Sequence, residues 1–185
     1  MAIPILTSRQ LAQRLSIPLA RWKRWSREFL APDPLAGKQS GYARQYYLND
    51  AFTVYLGGHL VSHLNFAIPE ARRIVADLQP WLDRHGFHFD LRGQRVQTPK
   101  RLLANAYSIR IYIAPSGFRY VSRGLIERRR RETPEGEVQD ETYTEAQIGT
   151  KGPDPEDHPP ANVLTLRISA LSEQFQSLVK GNDGD

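Results

Sequence analysis

Arg21, Lys23, Arg24 and Arg27 crowd seven residues of chain, with Glu28 the one acid beside them. Cations at this density repel one another on a helix unless an anion relieves the cost. The fork of an arginine suits phosphate, or the O6/N7 edge of guanine. The chemistry on offer is therefore recognition of a polyanion rather than bond-making. No phosphate-binding glycine loop, G-x-S-x-G or H-E-x-x-H occurs, so no catalytic residues are expected. His59 with His63 and His85 with His88 have spacings that could ligate a metal, but they lack cysteine or carboxylate partners nearby. Cysteine is absent, which excludes disulfides, zinc-thiolate sites and thiol redox sensing. Neither a metal nor a cofactor is expected.

The elements that must position the cations are well punctuated. Thr7 and Gln10 stand in the capping-box relation, with Leu6 and Leu11 at the staple positions. Leu11, Ala12 and Leu15 form the apolar stripe of a first helix, and Ser16-Ile17-Pro18 breaks it and starts another. The second helix runs from about Pro18 to Phe29, with Trp22, Trp25 and Phe29 on one face that reads as core. A helix, a tight turn, a cationic helix and a basic loop are how many proteins present a helix to the DNA major groove.

The stretch from Arg21 through Trp22-Lys23-Arg24-Trp25-Ser26-Arg27-Glu28-Phe29-Leu30-Ala31 to Pro32 resembles the recognition-helix segment of the MerR family of bacterial regulators, T-[IL]-R-Y-Y-E-R-E-G-L-[LI]-x-P. Gly41-Tyr42-Ala43-Arg44-Gln45-Tyr46-Tyr47-Leu48-Asn49-Asp50 is similar to that family's wing, G-Y-R-x-Y-x-x-x-D. Leu64 to Ala71 resembles the opening of its fourth helix. The chain departs from the pattern at Ala43, an insertion, and at Phe29 and Asn65, which replace glycines. The resemblance covers about residues 6–82. It implies a winged helix-turn-helix on double-stranded DNA, with Lys23 at the family's DNA-facing arginine. Arg21, Lys23, Arg24 and Arg27 would then face DNA, with Lys38, Tyr42, Arg44 and Tyr46 on the wing. Arg44 is expected on phosphate; Tyr42 and Tyr46 either donate to phosphate or brace the wing.

Further along, Asn49 can cap a third helix starting at Asp50, with Phe52, Leu56, Leu60 and Leu64 buried. Gly57-Gly58 either weakens that helix or lets another approach closely. Pro69 starts a fourth helix bearing Ala71, Ile74, Val75 and Leu78; Pro80 disturbs it, and Gly86 ends a short continuation. Phe87, Phe89 and Leu91 then alternate as in a strand, and residues 98–104 suit a helical turn or two. Tyr107–Ala114 and Phe118–Ser122 flank Pro115-Ser116-Gly117 as a hairpin with a three-residue turn.

Charge is divided unevenly, with nets of +6 over residues 1–48, +8 over 49–131 and −9 over 132–185. A basic body with an acidic tail suits a nucleic-acid binder. The run Arg128–Arg131 clamps phosphate, is simply solvated or pairs with that acidic tail, which could alternatively fold back over the basic face. Residues 132–161, rich in Pro, Gly, Asp, Glu and Thr, read as a disordered linker. Beyond it, Val163–Ile168 suits a strand and Leu171, Phe175, Leu178 and Val179 a short helix, able to dock on the hairpin of its own subunit or of a second copy. The second copy is preferred.

The expectation is an α+β chain of four parts. These are a MerR-like winged helix-turn-helix over 1–85, a small β-rich region with a hairpin over 86–131, the acidic linker over 132–161 and a dimerisation element over 162–185. The expected function is sequence-specific binding of double-stranded DNA in transcription regulation, as a homodimer, with RNA polymerase or a recombinase or initiator as further partners. The alternatives are an architectural factor of a mobile element (an excisionase or a replication or partition accessory protein) and a protein–protein adaptor. No membrane-spanning run or signal peptide is apparent, so a cytoplasmic location is expected.

Overall fold

The Thr7 hydroxyl accepts the Gln10 N–H at 3.4 Å, and the Gln10 side chain accepts the Thr7 N–H at 2.9 Å, closing the capping box. From there the computed structural model, which describes residues 6–33, 43–89, 107–115, 117–134, 136–149 and 162–180, is mixed α+β. Its elements are β1 (Leu6–Thr7), α1 (Ser8–Arg14), α2 (Leu19–Phe29), β2 (Gln45–Tyr46), α3 (Leu48–Ser62), α4 (Ile68–Arg84), β3 (Tyr107–Ala114), β4 (Gly117–Thr133), β5 (Gly136–Ile148), β6 (Asn162–Leu166) and α5 (Ile168–Lys180). The chain divides into a helical unit, Met1–Val96 with Ser172–Asp185, and a sheet unit, Gln97–Leu171. Among the described residues no helix is long and apolar enough to cross a membrane.

In the helical unit α1 turns into α2 through Ser16, which holds φ 53°. The Ile17 N–H reaches back to the Ala12 carbonyl at 2.9 Å to close the turn. α3 is the centre of this unit. It buries Ala51, Phe52, Val54, Leu56 and Leu60, around too much of its circumference for a surface helix. It starts at Leu48 after Tyr47, so Asn49 is not its cap; the Asn49 carboxamide oxygen instead accepts the Phe89 N–H at 2.7 Å. Of the two readings of Gly57-Gly58, close approach is the one realised. A Cβ on Gly58 would lie 2.3 Å from the Trp25 ring, and one on Gly57 would lie 2.6 Å from the Phe29 ring. Past α3, Asn65 takes φ 58°, the left-handed backbone that asparagine tolerates best after glycine.

α4 runs unbroken through Pro80, contrary to the interruption expected there. A proline one turn from a helix end removes one backbone bond, toward Ala76, while the bond that closes the last turn, His85 N–H to Trp81 carbonyl at 3.0 Å, is made. Phe87 and Phe89 also depart from expectation. They are core of the helical unit rather than the start of a β region: Phe87 stacks 5.6 Å from Trp81, and Phe89 meets Phe52 edge-on at 5.5 Å. The boundary expected at residue 85 therefore lies too early. Residues 98–104, with their expected helical turn, and Leu91 lie outside the described residues. Phe175 of α5 completes this core, 5.3 Å from Phe52 and Phe89 and 5.4 Å from Tyr55. Arg14 donates to the Val179 carbonyl near the end of α5.

The sheet unit is antiparallel, in the order β5-β4-β3-β6. Ala114 pairs with Gly117, so Gly117, at φ 137°, opens β4 instead of belonging to the expected turn. The expected linker is the larger correction, because Gly136–Ile148 of it is β5, paired along the whole outer length of β4. Average composition concealed the pairing, which matches acids of one strand to arginines of the other. Arg128 meets Glu141 at 3.0 Å, Arg130 meets Glu137 at 3.6 Å and Arg131 meets Asp140 at 3.7 Å, while Arg129 takes Glu127 of its own strand at 2.7 Å. Exposed pairs contribute at most about 1 kcal/mol each; here they remove the like-charge cost of four adjacent arginines. Glu137, Asp140 and Glu141 of this segment are thus engaged with the arginine run. β6 pairs with β3, so the C-terminal strand adds an edge to the hairpin of its own chain.

The glycine pair yields a sign that can be checked. Gly58→Ala gains about 1 kcal/mol of helix propensity, but the buried Trp25 ring has no room to yield, and overpacking costs about 1–3 kcal/mol. Chemical denaturation should show a net loss of stability in Gly58→Ala. A gain would mean that α2 sits further from α3.

Candidate nucleic-acid interface

α2 has two sides set by helical spacing. Trp22, Trp25 and Ser26 are buried, with Trp22 wholly inaccessible, and Phe29 rests against Gly57. On the opposite side Ala20, Lys23, Arg24 and Arg27, at i, i+3, i+4 and i+7, form one exposed stripe. Arg21 is exposed as well but lies round the helix on the side of Glu28. Glu28 pairs with Arg72 of α4 at 3.9 Å, so its charge is drawn sideways, away from the stripe. What remains is a helix face of three long donors and one small residue. None of them can accept a hydrogen bond.

The loop strand that returns beside α2 is fixed by hydroxyls. Tyr46 is 2 % exposed, and its phenol donates to Ser26 Oγ at 3.0 Å and lies 3.0 Å from Ser8 Oγ. Ser26 in turn donates to the Trp22 carbonyl at 3.0 Å. The Tyr46 ring meets Trp22 edge-on at 5.8 Å. Of the two roles open to Tyr46, bracing is the one it performs; a buried phenol with both neighbours taken does not reach phosphate. Its strand, β2, pairs with β1 through Leu6–Tyr46 and Thr7–Gln45. Arg44, half-buried, donates from Nη2 to the Ala31 carbonyl at 2.9 Å, with its guanidinium 5.6 Å from the Tyr46 ring centre. One of its five donors thus ties this strand to the end of α2. Lys38 and Tyr42 lie outside the described residues.

Sequence reasoning missed Tyr47, which is 54 % exposed beside these groups. No sequence signal marked it, because Tyr47 follows β2 as the cap of α3 and one residue of register decides which of the two tyrosines turns inward. Burial raises the Asp50 carboxyl above its ordinary pKa, and the nearby Arg44 charge works against that shift. On α3 the His59 and His63 rings stack 4.6 Å apart, and burial first, then the charge of His63, lowers His59 to about 4. Among the described residues no three His, Cys, Asp or Glu side chains gather as a metal site.

Comparison of the chain with protein-family models, with curated proteins and with solved structures finds no match.

Two outcomes follow from this geometry. Tyr46→Phe removes the hydrogen bonds to Ser8 and Ser26, leaving Ser26 only its bond to the Trp22 carbonyl, and should cost about 1–2 kcal/mol in a denaturant titration; an unchanged midpoint would remove the hydroxyl relay from the account. His59 binds its proton less readily folded, at about 4, than unfolded, at about 6.5, so stability should fall as pH drops through that interval and level off below it. Melting curves of His59→Gln should lose most of that slope, whereas curves parallel to wild type would place the titration elsewhere.

Proposed function

We propose that the protein binds double-stranded DNA in a sequence-specific manner and regulates transcription. In this reading α1 and α2 form a helix-turn-helix, with β1, β2 and the loop between α2 and β2 as its wing, as the resemblance to MerR regulators implies. The observation that carries it is the division of α2 into one face locked against a glycine floor and another of exposed cations. A reading helix must be rigidly seated and project long donors, and a major groove about 12 Å wide admits an α-helix. Lys23, Arg24 and Arg27 are the readers, Ala20 allows close approach, and Arg21 grips backbone at the rim. A donor-only face favours guanine O6 and N7. Arg44 acts chiefly by holding the wing strand against α2. One such helix covers few base pairs, so we extend the reading to two copies on a two-fold site, with half-sites about 34 Å apart.

The test is selection of genomic fragments by the purified protein at physiological salt, followed by footprinting. The expected result is a guanine-containing inverted repeat inside promoters. Lys23→Ala or Arg24→Ala should each lower affinity for that site by about 1–3 kcal/mol while relaxing preference at one position. Sites at recombination or replication origins would favour an architectural role. No enrichment, together with unchanged affinity in both variants, would contradict the reading.

A further inference from the structure

The outward face of the sheet unit holds side chains that the duplex reading does not use. On β3, Ile109 and Ile111 are fully buried, so alternation turns Arg110 and Tyr112 to the other side. On β4, Tyr120 and Ser122 are buried in the same way, and Arg119 and Arg123 point outward. The register sets Tyr112 opposite Arg119 and Arg123 opposite Glu145. Guanidinium groups and phenol rings are layered here. The Arg119 guanidinium lies 4.3 Å from the Tyr112 ring centre, and that of Arg123 lies 3.9 Å from the Tyr143 ring centre. Two acids lie beside these layers among the described residues: Glu145, shared by Arg123 at 2.6 Å and Arg110 at 3.5 Å, and Glu141, which accepts from the Tyr143 hydroxyl and pairs with Arg128 at 3.0 Å. With Arg119, four arginines thus meet two carboxylates, and the face keeps a net positive charge. Val163 and Thr165, paired across from Tyr112 and Arg110, are exposed and leave the edge open.

A cation over an aromatic ring is held for about 0.5–1 kcal/mol at an exposed site. That contact holds the guanidinium over the ring face. A flat guanidinium can stack on a nucleobase while its edge donates to phosphate. We propose that this sheet face binds single-stranded nucleic acid. Bases stack on the Tyr112–Arg119 and Tyr143–Arg123 layers, and Arg110 neutralises the backbone passing between them. Four residues of β4 separate Arg119 from Arg123, about 13 Å at the usual strand rise, so the site spans a few nucleotides. Duplex DNA presents no free base faces to such layers. An acidic peptide would engage the arginines but leave the tyrosines without a role. The proposal does not depend on the α2 reading, because it uses other residues and another ligand.

The experiment is fluorescence anisotropy of a labelled oligothymidylate of about 12 nucleotides, a length within the range of single-strand binding folds. It uses the full chain, with a poly-glutamate peptide as competitor. Wild type should bind the oligonucleotide and resist the peptide. Tyr112→Ala should weaken binding about fivefold or more, the loss of one stacked base, while Tyr112→Phe stays close to wild type. Arg119→Ala with Arg123→Ala should lower the salt slope by about 1.4, or 0.7 for each phosphate no longer neutralised. Lys23→Ala should leave single-strand affinity unchanged, which separates failure here from failure of the duplex reading. If melting curves show Tyr112→Ala unfolded, Tyr112→Leu, which keeps apolar bulk without a ring, takes its place with the same expected loss. The proposal is overturned by wild type that does not bind. It is equally overturned by Tyr112→Ala or Tyr112→Leu binding normally, by a loss seen in Lys23→Ala alone, or by competition from poly-glutamate that ignores Tyr112 and so marks an acidic-protein surface.

Discussion

Trp25 and Phe29 pack against two glycines, and the helical unit depends on that contact. Without a Cβ at Gly57 and Gly58, α2 approaches α3 until the rings touch backbone. Each aromatic side chain removes about 150–250 Å² from water, worth roughly 4–6 kcal/mol before its ordering entropy. That gain fixes the rotation of α2 about its axis. Once the rotation is fixed, helical spacing alone turns Lys23, Arg24 and Arg27 outward together. Trp22, drawn inward by the same rotation, meets Tyr46, whose hydroxyl engages Ser8 and Ser26. The cationic face and the strand beside it are consequences of one close packing.

The sheet unit solves a different problem. Its four-stranded part is two-faced, with isoleucines inward and arginine–tyrosine layers outward. The outer lengths of β4 and β5 are exposed on both sides and carry charge instead of a core. Two strands alone are marginal in water. Here continuity with the four-stranded part and a ladder of opposite charges hold them in register, and Gly136 at φ 131° closes the turn.

What could be read in the sequence divides along the same physical line. Local signals were legible: the Thr7–Gln10 box, the break at Ser16–Pro18, the Trp22/Trp25/Phe29 stripe and the strand spacing of Tyr107–Ala114 each lie within a few residues of chain. Cross-strand pairing was not. β5 escaped although β4 directly precedes it, Thr133 pairing with Gly136, because its composition resembles a solvated segment and its fit to the arginines shows only once the two strands are set in register. Phe87 and Phe89 alternate like a strand, yet they are claimed by Trp81, Phe52 and Phe175 from three helices. In the candidate interface the exposed cations of α2 were legible, because an amphipathic helix declares its outer face. Tyr46 was not, since one residue of strand register decides whether it or Tyr47 is buried.

In the proposed function the outer stripe of α2 lies against duplex DNA. Ala20 sits on that stripe, exposed and small, and can be replaced by a photo-crosslinking residue without disturbing the buried face. Irradiation of this protein on a selected duplex should attach it to bases in the major groove. The same residue placed at Asp83 of α4, also exposed, should give no base crosslinks. A protein that still binds the duplex but crosslinks from position 83 and not from position 20 would contradict the account.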